Sequence, residues 1–177
     1  MLTPKRIKFL AVVALGTLVA LTGCSKSSEA ESLPPIANLR QPTDKILTGG
    51  QPSKEDLAEL ASSGVKHVLN LRPASEMDWD EKSYVESLGM TYHTIPVAGA
   101  KDVNAETDSE LAKTLKEIGD EKAFLHCASG NRVGAVIAYH EFTEKGANVE
   151  TAISTGKEWG LTKLEEPLRT KLQEMSQ

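Results

Sequence analysis

The chain has 177 residues, 40% apolar and 25% charged, with 20 Lys and Arg against 25 Asp and Glu for a formal charge of −5. That length suits one compact domain plus a short appendage. The acidic balance argues against nucleic acid, and against adhesion to anionic lipid, as a main role, but leaves room for a small anionic substrate held by local amides and a cation.

Lys5, Arg6 and Lys8 precede an uncharged, mostly apolar run over residues 9–21, followed by Thr22, Gly23 and Cys24. The run is shorter than the ~20 residues of a membrane-spanning helix and reads as the core of a secretory signal peptide over residues 1–23. Leu21, Thr22, Gly23 and Cys24 resemble a bacterial lipobox. That resemblance implies lipid on Cys24 and export, with the domain anchored to a bacterial membrane and facing the periplasm or cell exterior. The alternative is an ordinary cleaved leader with a cysteine near its end. Losing the leader with its three basic residues would leave a charge of about −8. Residues 24–35 are small and polar and close on Pro34 and Pro35, as a flexible tether would. The folded domain is expected over 36–177.

Within it, Ile46 to Thr48 suggests a short first strand ended by Gly49 and Gly50. Ser53 is placed to cap a helix over 54–63, with Leu57, Leu60 and Ala61 on one face. A compact β pattern follows over 65–71 (VKHVLNL), stopped by Arg72 and Pro73. A helix over 80–88, a strand over 91–97 (TYHTIPV) and a loop over 98–103 come next. Leu111, Leu115 and Ile118 then share one helical face. A strand is expected over 123–127 and a helix from 133 to about 145, apolar nearly all round and therefore buried. Two more helices are expected, over 149–158 and about 164–175, with Pro167 in the first turn of the second. Strands alternating with helices predict an α/β fold with a mostly parallel sheet of four to five strands and helices on both faces. Ligands of such sheets bind at the carboxyl ends of the strands. Three loops should meet there: Arg72 to Glu76, Ala98 to Asp102, and Cys127 to Arg132.

The last of these carries the chemistry. If Cys24 is an anchor, Cys127 is a lone thiol, either reactive or a buried structural cysteine. Gly130 permits a tight turn, and Ala128, Ser129 and Asn131 add little bulk. Successive amides can then form an anion nest at a helix N-terminus, with Arg132 as a bidentate cation. The same field stabilises a thiolate at Cys127, and a thiolate under a bound oxyanion is a nucleophile aimed at its central atom.

HCASGNR resembles the active-site loop of cysteine-dependent phosphatases of the tyrosine and dual-specificity superfamily. GGQPSKEDLAELASSGVKHVLNLRPASE, GMTYHTIPV and FLHCASGNRVGAVIAY follow in that superfamily's order. The likeness is greatest to the small bacterial beta-lactamase-hydrolase-like branch, with its Gly-Gln-Pro segment and Asn-Leu-Arg strand end. It implies a phosphatase-like fold and hydrolysis of phosphate monoesters, on small molecules or proteins, through a phosphocysteine on Cys127. Arg132 and the amides of residues 128–131 would bind the phosphoryl oxygens, His126 would tune the thiol, and Arg72 and Glu76 would line the substrate entrance, the alternative for these two being a structural ion pair. It also implies a general acid on the loop after the third strand. Asp102 fits that place best, with Glu106 and Asp108 as rivals; each could instead be a solvated loop or first-turn carboxylate. The chain departs from the superfamily pattern twice. Four residues rather than five separate Cys127 from Arg132, and Val133 stands where Ser or Thr is usual. Four-residue spacing is typical of rhodanese-like sulfurtransferases, so a Cys127 persulfide, or a non-catalytic phosphate- or sulfate-binding module, remains open. His67 and His93 fall inside strands and suit structural roles. No histidine pair has metal-site spacing, so neither metal nor cofactor is expected.

Overall fold

The computed structural model describes residues 33–177. The signal segment 1–23, Cys24 and most of the 24–35 tether lie outside the described residues. Four short strands form one parallel sheet: β1 (Ile46–Gly49), β2 (His67–Asn70), β3 (Thr91–Thr94) and β4 (Ala123–His126), in the order β1-β4-β2-β3. Six helices accompany them: α1 (Lys54–Ser62), α2 (Glu81–Ser87), α3 (Ala105–Ile118), α4 (Asn131–Thr143), α5 (Val149–Glu158) and α6 (Glu165–Met175). This is the α/β architecture with a parallel sheet that the alternating pattern predicts. Among the described residues, no helix is long and apolar enough to cross a membrane.

The strand alternation sorts side chains between two cores. Val68 and Phe124 face Leu57 and Leu60 of α1 and Val85 of α2. Leu69 and Leu125 face Leu111, Val136, Ile153 and Leu172, contributed by α3 to α6. Helices therefore cover both faces, and β2 and β4 at the centre of the parallel sheet are fully buried, while the edge strand β3 is exposed at both ends and half-buried between them. β2 and β3 are shorter than their apolar runs, because β2 ladders against the four residues of β4 and β3 against the four of β2.

Helix α4 begins two residues earlier than its apolar run. Gly130, at φ 82°, occupies the left-handed region and starts the helix at Asn131. Arg132 thus lies inside the first turn. Seven consecutive residues, Val133 to Tyr139, are buried. The helix is seated by a close approach to the α5–α6 connection, where a Cβ at Gly134 would stand 2.1 Å from the Leu161 nitrogen. Only glycine fits there.

Candidate active site

His126, the last residue of β4, pairs with Gly49 of β1 on one side and Asn70 of β2 on the other. The segments leaving three neighbouring strands therefore emerge together at one sheet edge. Cys127 opens the loop after β4, and its side chain is 1% exposed within the core beneath α3 to α6. Among the described residues it is the one free cysteine. The Gly130 N–H donates to Cys127 Sγ at 3.1 Å, a bond that the left-handed glycine makes possible by curling the loop back over the sulfur.

The loop's carbonyls are turned outward. Ala128 O accepts from the Gln51 amide at 3.4 Å, and Ser129 O accepts from Asn38 Nδ2 at 3.2 Å. A trans peptide points its N–H opposite its C=O, so the amides of Ser129 and Gly130 turn to the other side. Among the described residues, the N–H groups of Ala128, Ser129, Asn131, Arg132 and Val133 have no protein acceptor. Amides so arranged at the start of a helix suit an oxyanion.

Arg132 is held as a fixed fork. One terminal nitrogen donates to Val97 O at 2.9 Å and the other to Glu76 Oε2 at 2.7 Å. Glu76 lies in a 3-10 turn, Ala74–Glu76, on the loop after β2. Its hydrogen bond from Arg132 holds its carboxyl below the usual range against a modest opposing effect of burial, and Arg72 adds to the lowering. Arg72 Nε reaches the same oxygen at 3.4 Å, while its other nitrogens donate to the Glu76 carbonyl and to Gln51 Oε1. Arg72 thus holds the loop that holds Arg132.

The chain of contacts continues inward. Gln51 Nε2 donates to Glu81 Oε2 at 2.8 Å. Glu81 Oε1 lies 2.7 Å from His126 Nε2, a distance that makes an ion pair, although the angle is off the line of a ring hydrogen bond and leaves both atoms without one.

The remaining expected residues take varied places. Asn131 turns its Oδ1 to the amides of Thr162 and Leu164, at 2.9 and 3.2 Å, and so ties the loop to the α5–α6 connection by its side chain. Asp102 ends a 3-10 turn, Ala100–Asp102. Its Oδ2 accepts from the amides of Ala98 and Gly99 at 2.7 and 3.3 Å, leaving Oδ1 without a hydrogen bond among the described residues. Asp108 is buried and committed to α4, accepting from Thr143 Oγ1 at 2.5 Å and meeting His140 Nδ1 at 2.6 Å. Glu106 is exposed in the first turn of α3. Among the described residues no group of three or more His, Cys, Asp or Glu is placed to hold a metal ion. Two residues of this constellation escaped the sequence pattern. Gln51 was visible only within Gly-Gln-Pro, and Glu81 looks like any acid favoured at a helix start.

Comparison with known proteins agrees with this fold. The family model for a DSP-PTPase phosphatase fused to NAD+ kinase matches residues 26–172. A beta-lactamase hydrolase-like protein of Agrobacterium fabrum is 31% identical over 94 residues, covering 50% of this chain and 21% of that protein. The chain thus spans about a fifth of the length of the curated relatives it matches. Among solved structures, a DUF442 protein of Shewanella putrefaciens superposes with a TM-score of 0.62 at 23% identity, over 80% of this chain and 94% of that one. TpbA of P. aeruginosa, solved in complex with pTyr, superposes with a TM-score of 0.52 at 16% identity, over 77% and 90% of the two chains. At these identities the structural matches establish the fold.

Proposed function

This chain belongs to the DSP-PTPase phosphatase family, and on that premise we propose that it hydrolyses phosphate monoesters through a phosphocysteine on Cys127. The observation that carries the proposal is the coincidence of three features in one loop: a thiol with an amide on its sulfur, unpartnered amides around it, and a guanidinium locked at its far end. In this scheme the Cys127 thiolate attacks phosphorus while the bond to the leaving oxygen breaks. Arg132 and the free amides of Ala128, Ser129, Asn131, Arg132 and Val133 carry the charge of the non-bridging oxygens. Asp102 gives its proton to the leaving oxygen; its unbonded Oδ1 supports that role. Water then attacks the S–P bond, returning a proton to Asp102, releasing phosphate and restoring the thiolate. Arg72 acts at one remove, through Glu76. The substrate, a phosphorylated small molecule or protein, is read by the surrounding loops. TpbA, whose fold this chain shares, was solved with pTyr, which makes an aryl phosphate the first probe.

The four-residue spacing from Cys127 to Arg132 favours a second reading, sulfur transfer through a Cys127 persulfide. Parallel assays separate the two. An aryl phosphate should be hydrolysed by the wild-type chain and not by Cys127→Ser or Arg132→Ala, and full activity in either variant refutes the phosphatase mechanism. Transfer from thiosulfate, with a persulfide on Cys127, supports the second. We further propose export and lipid attachment at Cys24, on the sequence from Leu21 to Cys24. Metabolic labelling with a fatty-acid analogue should mark the wild type and not Cys24→Ser; equal labelling would refute it.

A further inference from the structure

We propose that Glu81, with Gln51, is a positioning residue for the nucleophile: its carboxylate fixes a proton on His126 Nε2 and so anchors the residue immediately before Cys127. This rests on the reading of Cys127 as a nucleophile. The carboxyl side chain of Glu81 is 1% exposed and the His126 side chain 0%. A carboxylate shut away from water needs a donor at each oxygen. Oε2 has Gln51 Nε2. For Oε1 the polar atom within reach is His126 Nε2, at 2.7 Å, so the arrangement that compensates the charge places a proton on that nitrogen. The ring cannot drift far, because it stacks on Phe124 with centroids 5.4 Å apart and planes 5° from parallel.

The chain does not stop at Glu81. Gln51 joins that carboxylate to Arg72, and Arg72 joins Glu76, which holds Arg132. His126 and Arg132, on either side of the loop, are therefore tied to each other through side chains from the β1–α1 connection, the loop after β2 and the start of α2. A glutamine at position 81 would break the logic at one point. Its carbonyl could still accept from Gln51, but its NH2 would then face His126 Nε2. That nitrogen would have to become an acceptor, which moves the ring proton to Nδ1, a buried atom with no partner.

The test uses long-range proton–nitrogen NMR spectra of the full chain, with the His126 signals identified by their loss in His126→Asn. The wild type should carry a proton on Nε2, and Glu81→Gln should carry it on Nδ1. Alkylation of Cys127 by iodoacetamide should slow about tenfold in Glu81→Gln, the scale of one charge-assisted hydrogen bond. Gln51→Ala, which cuts the chain without touching His126, should slow it by less and leave the Nε2 proton in place. A wild-type ring protonated on Nδ1 alone, or Glu81→Gln alkylating at the wild-type rate, overturns the proposal. A merely structural Glu81 would lower the melting temperature without moving the proton. Neither readout requires turnover, so a chain that hydrolyses no phosphate ester can still pass or fail this test.

Discussion

Both ends of the sheet carry a line of polar side chains, and they differ in how completely those groups are matched. At the amino ends, Glu121 meets His67 Nε2 at 2.7 Å, and His67 Nδ1 faces His93 Nε2 at 3.0 Å. The ring centroids lie 5.3 Å apart, close to the nitrogen gap plus the two ring radii, so the two nitrogens point at each other at hydrogen-bonding distance. Such head-on geometry suits a hydrogen bond and not the angled approach of two ligands to a metal. The flanking Glu117 and Glu121 are exposed to water. At the carboxyl ends, Glu81 and His126 are sealed from water and imperfectly aligned, and the loop amides find no protein acceptor among the described residues. The first chain is matched and reaches water through its carboxylates, whereas the second is unmatched and buried.

If that contrast is right, disturbing the carboxyl edge should cost activity and disturbing the amino edge should cost only stability. The largest effect is expected from Arg132→Lys, which keeps the charge and loses the fork; kcat/KM for an aryl phosphate should fall about 10²–10³-fold. A fall of twofold or less would mean that the fork is not what binds the transition state. Next is Glu76→Gln, which takes the charge from one of the two hydrogen bonds that hold Arg132. Activity should drop about tenfold, with KM carrying part of the change, and an unaltered KM and kcat would deny Glu76 its role.

At the amino edge the effect depends on pH. Burial, and then the neighbouring His67, hold the His93 imidazole below its ordinary value of 6.5, with Glu117 pulling weakly the other way. The folded state therefore binds fewer protons than the unfolded state in that window. Stability must fall as pH drops through 6.5 toward the lowered value. His93→Gln should flatten this loss in urea denaturation across pH while leaving kcat unchanged; an identical pH slope would contradict it. Smallest of all, Lys45→Ala removes an exposed 3.2 Å pair with Asp120. It should move stability by no more than about 0.5 kcal/mol, and a larger loss would show that the amino edge is more than a seam.

Much of this architecture is legible in the sequence for a physical reason. Gly64, Gly89, Gly119 and Gly146 end helices or turns with positive φ, and the apolar runs between them have the period of strands or helices. The strand ends were less legible, because a strand stops where its partner stops, and β4 is four residues long. The loop of Cys127 to Arg132 stands out because its residue types are rare in combination. Its supports are less so: Glu76 could be paired with Arg72 from their four-residue spacing, but Gln51 and Glu81 come from separate segments, and no local pattern distinguishes a buried acid at a helix start from a solvated one. The helix start at Asn131 was missed for a similar reason, since the apolar run begins at Val133 while the backbone turn at Gly130 decides where the helix opens.

The claim at the centre is that Cys127 itself takes the phosphoryl group. Acid-quenched intact mass during turnover of an aryl phosphate, followed by peptide mapping, tests this without inference from rates. The wild type should carry one phosphoryl adduct on Cys127, absent in Cys127→Ser. Sustained hydrolysis with Cys127 unmodified, or a phosphoryl group on another residue, would contradict it.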